Sequence, residues 1–342
     1  MIVVDDPAAD ALTLSPLTIR SLPVGRLRTR NDWDHFAQAC LASYYCARAY
    51  IRPHRFTHRV HLFEVFAASE KVAQCAVAVS RVPGKAKGTF LDAIQLKPKH
   101  KARWADAMTA VLHLLGAGVY VYGSVWNAEE PRDEQLASLP GVTLISTEAW
   151  RVMSVDFADF GDWDHYHRSM STNAKRNVAK AVKADPAIRI ETQKGFPSAA
   201  NLKQMISLRH DVFERKGLAI GSWRFTLLRR LVMLRQHISV SWVYFQNRCT
   251  AYALCLRWGD HLYYTDGAST QDNGGSAWFL LTQTLRAHYL ACPKGKFVMG
   301  YDPAIRWSED TTRWSNLLRQ RQQCRARSTP TSIVVFRYED QR

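Results

Sequence analysis

The stretch that decides the fold is YYTDGASTQDNGGSAWFLL, residues 263–281. Alternating apolar and aromatic residues lead into it from HLYY, as in a strand. A turn of small polar residues, Asp272-Asn273-Gly274-Gly275-Ser276, follows. Apolar residues at helical spacing begin at once after it, in SAWFLLTQTLRAHYL (276–290). Glycines allow a tight turn and bring backbone N–H groups to the surface. A helix N-terminus adds unpaired N–H groups and the positive end of a dipole. Strand, glycine turn and helix in that order make a candidate cradle for a pyrophosphate.

Working outward, RCTAYALCLRW (248–258) reads as the preceding strand and GKFVMGYD (295–302) as the following one. The same order occurs earlier: EKVAQCAVAVS (70–80), TFLDAIQL (89–96), the helical ARWADAMTAVLHLL (102–115), and GVYVYGSVW (118–126). Corresponding starts lie about 170–180 residues apart, at Val72 and Cys249, Phe90 and His261, Gly118 and Gly295. This is too long a period for a solenoid and reads as a tandem duplication of one α/β unit. The boundary is expected near 158–165, giving domains 1–160 and 161–342. Between the repeats lie helical candidates at about 162–184, 198–216 and 222–236, and a short strand at 187–193. SIVVFRY (332–338) reads as a strand closing a sheet.

The net charge is +16, and it is unevenly spread. Residues 1–160 hold 18 Lys+Arg against 16 Asp+Glu, while residues 161–342 hold 28 against 14. The second half therefore attracts polyanions, whether phosphates of a cofactor, nucleic acid or anionic lipid. The stretch YHRSMSTNAKRNVAKAVKAD (166–185) shows this locally, with Arg168, Lys175, Arg176, Lys180 and Lys183 and no acid before Asp185. Read as one helix capped by Asp162 or Asp164, it presents Arg176, Lys180 and Lys183 on one face. Val178 and Val182 are expected toward the core. Lys175, Arg176, Lys180 and Lys183 are candidate anion-binding residues. A second basic stretch is WSNLLRQRQQCRARS (314–328).

Several function classes are excluded or disfavoured. The chain contains no Gly-x-Ser-x-Gly elbow, Walker phosphate loop or His-Glu-x-x-His motif. Seven scattered cysteines fit reduced thiols better than a disulfide framework. Cys40, Cys46, His54, His58 and His61 match no common zinc spacing, so no metal is expected. The opening MIVVDDPAADALTLS has acids where a secretion signal needs Lys or Arg, and the expectation is a cytoplasmic protein without a transmembrane segment. His210-Asp211 reads as a helix-surface pair and Cys255 as core.

The order strand, strand, glycine turn, helix, strand resembles the acyl-CoA N-acyltransferase fold called GNAT. Two copies with a basic helical insertion opening the second resemble the FemAB peptidyltransferases and the CelD/BcsL-like acyltransferases. The resemblance covers about 160–305, on YHRSMSTNAKRNVAKAVK, AYALCLRWGDHLYYTDGAST, NGGSAWFLLTQTLRAHYLA and GKFVMGYD. It implies an α/β fold of two GNAT-like domains in tandem, each a mixed central sheet flanked by helices. It implies acyl transfer from acyl-CoA, such as acetyl-CoA, to an amine on a small molecule, sugar or peptide. The thioester would lie beside Tyr264, Thr265 and Asp266. The pyrophosphate would lie beside Asn273, Gly274, Gly275 and Ser276, with Gln271 ahead of them. Asp266 and Asp302 are the candidate bases and Tyr264 (or Tyr263) the candidate acid. The glycines here are adjacent, where acetyltransferase turns have them spaced. PAIRWSEDTTRW follows Tyr301-Asp302 where the CelD-like members have a glycine and a Tyr-Lys pair. The first repeat's turn, LKPKHKARWADA (96–107), has no glycine; Lys97, Lys99 and Lys101 are its only means of holding an anion, and the repeat reads as structural or substrate-positioning. The alternatives are an aminoacyl-tRNA donor, as in FemAB proteins, and a non-catalytic basic module that binds nucleic acid or an anionic membrane.

Overall fold

The computed structural model describes residues 16–28, 31–82, 87–126, 133–217, 219, 221–303 and 315–340. The chain forms two compact units, one of Met1–Arg151 with Pro330–Arg342 and one of Val152–Thr329. Each unit contains parallel and antiparallel strand pairs together with helices, so the fold is α/β as the sequence pattern implied.

In the first unit the strand order is β1 (Leu17–Pro23), β2 (His58–Ala67), β3 (Glu70–Ser80), β4 (Gly88–Phe90), β6 (Gly118–Gly123) and β13 (Arg327–Tyr338), with β5 (Gln95–Leu96) paired to β3. Helix α1 (Asn31–Ala39) and the short α2 (Arg48–Ile51) precede β2. Helix α3 (Trp104–Leu115) packs Trp104, Ala107, Met108, Val111 and Leu112 into the core. These positions recur at three and four residues, the spacing of one buried helix face. They meet Val65, Val72, Val77, Tyr120 and Phe336. A short helix, α4 (Asp133–Ala137), precedes β7 (Val142–Asp156), within which the chain passes to the second unit.

The division differs from the expected one at both ends. It falls inside β7, at Arg151/Val152, because that 15-residue strand begins in one unit and ends in the other. The C-terminal strand belongs mostly with the first unit, since Ile333–Tyr338 pair antiparallel with Gly123–Gly118 of β6. TFLDAIQL is also not one strand. It breaks at Asp92, whose φ is +78, a conformation a continuous strand cannot hold. Asp92 is buried there and accepts from the Ser43 N–H (3.1 Å), the Ser43 hydroxyl (2.8 Å) and the Cys46 thiol (3.2 Å).

In the second unit the order is β12 (Lys296–Pro303), β11 (His261–Ser269), β10 (Arg248–Trp258), β9 (Ile238–Phe245) and β8 (Arg189–Lys194). Helices α5 (Trp163–Ser169), α6 (Thr172–Ala184), α7 (Ala199–Arg215) and α8 (Trp223–Met233) come before β9. Helix α9 (Ser276–Ala291) joins β11 to β12, and α10 (Ser315–Gln323) follows. The basic stretch is two helices rather than one. Met170 and Ser171 are extended, and Ser171 starts a new helix by accepting from the Ala174 N–H at 3.1 Å. Asp162 caps α5, as the sequence allowed, through the His165 N–H. The core side of α6 is Ala174 and Ala181, seven residues apart, with Val178 half-buried. Val182 is exposed, one position off that stripe.

Candidate functional site

Strands β11 and β12 run parallel but are paired at only two rungs, Leu262 with Phe297 and Tyr263 with Val298. Beyond Tyr263 the two strands part. At that place β11 carries an extra residue relative to β10: Leu254 faces Asp266 and Cys255 faces Tyr264, so Thr265 forms a bulge. Its hydroxyl bonds back to the Leu254 carbonyl at 3.2 Å. Past the bulge, Thr270 donates its N–H to Thr250 of β10. By strand alternation Gly267 and Ser269 then aim their carbonyls away from β10.

Those outward carbonyls are taken by arginines. Arg230 of α8 reaches the Thr265 carbonyl at 3.0 Å. Arg209 of α7 reaches the Gly267 carbonyl at 2.8 Å, and Arg215 that of Ser269. Three guanidinium groups thus line the free edge of the strand. They explain why α7 and α8 lie where they do. Asp266, also in this row, is buried and ion-paired with Arg209 at 3.3 Å. It accepts from Trp223 Nε1 (3.1 Å) and the Tyr252 hydroxyl (3.3 Å). Burial, reinforced by the Asp266 charge, holds the Tyr252 phenol protonated well above its ordinary range. Burial does the same to Tyr264, with Cys255 and Asp266 adding to it. Tyr264 is therefore held as a neutral phenol. Its hydroxyl fills the space over Gly267, where an added Cβ would come within 1.8 Å of it.

Asp302, at the end of β12, is ion-paired with Arg321 of α10. That guanidinium lies over Gly300, whose φ of +124 and lack of a side chain admit it. Both candidate carboxylates are thus paired with arginine. Asp302 keeps more of its side chain in water, 14% against 5% for Asp266.

The glycine turn has the left-handed backbone expected, with φ +58 at Gly274 and +94 at Gly275. Several of its N–H groups are nonetheless used locally. Gly275 N–H bonds Asn273 Oδ1, Ser276 N–H bonds the Asn273 carbonyl, and the N–H groups of Trp278 and Phe279 both bond the Gly275 carbonyl. The Ser276 hydroxyl is buried against that of Thr250, at 2.6 Å. Helix α6 closes one side: a Cβ on Gly275 would stand 2.3 Å from the Asn177 carbonyl oxygen. Phe245 closes the other, 2.6 Å from a Cβ on Gly274. The amide cradle suggested by the sequence is thus largely filled from within. Gln271 is exposed and adjoins this turn without entering it.

The α6 cations differ in their freedom. Lys175 donates to the Arg168 carbonyl at 2.8 Å and Arg176 to Asn173 at 3.1 Å, whereas Lys180 and Lys183 are exposed. Asn173 also lines an open groove of about 390 Å³ with Lys216, Trp278, Leu317, Arg319, Gln320 and Gln323. Cations, amides and one indole are donors suited to a phosphate-bearing ligand. In the first unit two cations of the basic turn are held by one acid: Glu70 binds Lys97 at 2.7 Å and Lys99 at 3.0 Å.

Arg209, Arg215, Arg230, Trp223, Tyr252 and Arg321 were not singled out from the sequence. Arg230 had a legible signal, because it falls on the buried stripe of Leu227, Leu231 and Leu234. An arginine on such a stripe needs a buried acceptor. The others lie on helices and strands whose partners are distant in sequence.

No protein-family model matches the chain, and no curated protein matches it in sequence. Among solved structures it is similar to FemX, with TM-score 0.70 at 9% identity over 92% of this chain and 96% of that one. It is similar to a tandem GNAT protein from the clavulanic acid biosynthesis pathway, with TM-score 0.51 at 11% identity over 94% and 98%. It is also similar to the C-terminal domain of a putative lysylphosphatidylglycerol synthetase from Agrobacterium fabrum, with TM-score 0.50 at 9% identity over 90% and 92%. The fold is a tandem GNAT-like one. No helix among the described residues is long and apolar enough to cross a membrane.

Proposed function

We propose that the second unit transfers an acyl group from a phosphate-bearing donor to an amine. The observation that carries this reading is the parting of β11 from β12 at the Thr265 bulge, with Arg209, Arg215 and Arg230 along the opened edge. An acyl carbonyl lying in that opening gains negative charge on its oxygen as the amine attacks. Fixed positive charge and a strand N–H stabilise it there. Tyr264, kept protonated by burial, supplies the proton to the leaving group. Asp302, the more exposed carboxylate, takes the amine proton while Arg321 holds it in place. Asp266 touches neither partner and positions Trp223 and Arg209.

The state of the glycine turn favours an aminoacyl-tRNA donor, the FemAB-like alternative. With the Gly275 and Ser276 N–H groups occupied, phosphates would meet mainly side chains: Lys180 and Lys183 on α6, and Lys216 and Arg319 at the groove. Acyl-CoA is the second reading, supported by the left-handed Gly274-Gly275 pair directly ahead of α9. The resemblance to the GNAT and FemX structures supports both donors at the level of fold only.

The test is to incubate the protein with aminoacylated tRNA or with acetyl-CoA and a panel of primary amines. Amine-dependent deacylation of one donor, lost in Tyr264→Phe, supports the reading. Binding of tRNA would weaken linearly in log affinity against log salt as phosphate contacts are screened. A CoA site would respond far less. If neither donor binds or is turned over by the folded protein, the proposal fails.

A further inference from the structure

Helix α8 has two apolar faces. Leu227, Leu231 and the capping Leu234 are buried, on the side that also sends Trp223 and Arg230 into the sheet edge. The opposite side shows Phe225, Leu228 and Val232, which are 70%, 39% and 61% exposed. Their spacing of three and four residues places them in one line along the helix. The line is about 10 Å long at the rise of an α-helix. Single exposed apolar residues are ordinary, but an aligned row is not.

The row is bordered by arginine on both sides. At 100° per residue, Arg224 falls on one flank and Arg229 on the other, and both are exposed; Arg235, also exposed, follows the end of the helix. No acid offsets them, because the chain from Arg215 to Gly259 contains neither Asp nor Glu. A central apolar strip with cations along both edges is the arrangement of a helix lying in a membrane interface. Its side chains enter the acyl boundary and its guanidinium groups meet anionic headgroups. A second copy of this chain is a poor occupant, since self-pairing would bring two sets of arginines together without counter-charge. Nucleic acid would leave the aliphatic Leu228 and Val232 without a suitable partner.

We propose that the outer face of α8, through Phe225, Leu228 and Val232 with Arg224 and Arg229, docks the protein on an anionic bilayer surface. This stands apart from the transfer chemistry and does not depend on it. Docking would lay the face opposite Trp223 and Arg230 against the lipid.

The test is co-sedimentation of the full chain with vesicles of phosphatidylcholine alone, and of phosphatidylcholine with one third phosphatidylglycerol. Binding to the anionic vesicles only is expected at about 0.15 M salt. Phe225→Ser with Val232→Ser should lower it at least ~10-fold, the worth of the apolar side chains withdrawn from lipid. Arg224→Gln with Arg229→Gln should lower it by roughly ten-fold or more. Neither pair should change thermal unfolding, because all four side chains are exposed. Three results would overturn the proposal. They are absence of vesicle binding, binding that survives Phe225→Ser/Val232→Ser, and a dimer in sedimentation velocity that this pair dissolves.

Discussion

Gly275→Ala puts the junction of the glycine turn and the basic helix to a stability test. Gly275 has φ +94, where an L-residue with a Cβ is strained. Its Cβ would stand 2.3 Å from the Asn177 oxygen and 3.1 Å from the Asn177 carbonyl carbon. Both atoms belong to the α6 backbone and cannot rotate aside. Relief requires α6 to move out by about 1 Å, since ordinary van der Waals contact lies near 3.4 Å. The left-handed conformation costs about 1–2 kcal/mol. Forcing a methyl group into a packed contact costs about 1–3 kcal/mol more. The sum, about 2–5 kcal/mol, lowers the unfolding temperature of a unit this size by roughly 5–15 °C. Gly217→Ala is the control: its φ is +58, but nothing lies within 4 Å of its Cβ. It should carry only the conformational cost. Scanning calorimetry of both variants separates strain from collision. If Gly275→Ala melts with Gly217→Ala, α6 does not rest on the turn, and the closed cradle loses its support.

Further outcomes follow from the ionised and titrating groups. Arg321→Met leaves the Asp302 carboxylate without its partner and should cost about 3 kcal/mol in denaturant unfolding. Burial first, and Arg257 second, lower His288 from 6.5 to about 4. Its Nε2–H donates to the Lys296 carbonyl at 3.0 Å, while Nδ1 is buried with no acceptor among the described residues. The unfolded chain therefore binds a proton that the folded one refuses. Stability is full above pH about 6.5 and falls by about 3 kcal/mol as pH drops to about 4. His288→Gln should flatten that part of the pH–stability curve. Bonds from Lys97 and Lys99 hold the Glu70 carboxyl at about 2, down from 4.5. Its contribution is present above pH about 4.5 and lost as pH falls toward 2, so Glu70→Gln should flatten the curve there and leave the His288 step intact. Tyr264→Phe should lower acyl transfer by about 10²-fold or more with the melting temperature little changed.

Much of the second unit was legible because its signals are local. Alternation in 248–269, the small-residue turn and the apolar spacing of 276–290 each depend on neighbouring residues alone, and the strands and α9 fall where they indicate. The two-helix form of the basic stretch was also written locally, in Ser171, but a continuous run of helix formers on both sides masked it. What could not be read was the partnering. The turn's N–H groups look free in sequence because Asn273, which accepts from two of them, does so by folding back on itself. Asp266 and Asp302 look like free bases because Arg209 and Arg321 lie 57 and 19 positions away. Likewise, the final strand's place in the first unit is a long-range pairing with β6 that no periodicity records.

The two repeats make the same point about charge. Asp92 lies in the turn after β4 and Asp266 within β11, each ahead of the helix that follows in its unit. Both carboxylates are buried. Asp92 is met by a hydroxyl, an N–H and a thiol, all neutral donors. Asp266 is met by an indole, a phenol and the Arg209 guanidinium. A neutral shell fixes a backbone and offers nothing to an anion. A cationic shell, extended by Arg215 and Arg230 along an unpaired strand edge, leaves positive charge where a reacting carbonyl could use it. Lys97 and Lys99 of the first repeat's own turn are meanwhile both tied to Glu70. The excess of charge in the second half of the chain is thus matched by where it is left uncancelled. This difference, more than the glycines, supports the proposal that transfer chemistry belongs to the second unit.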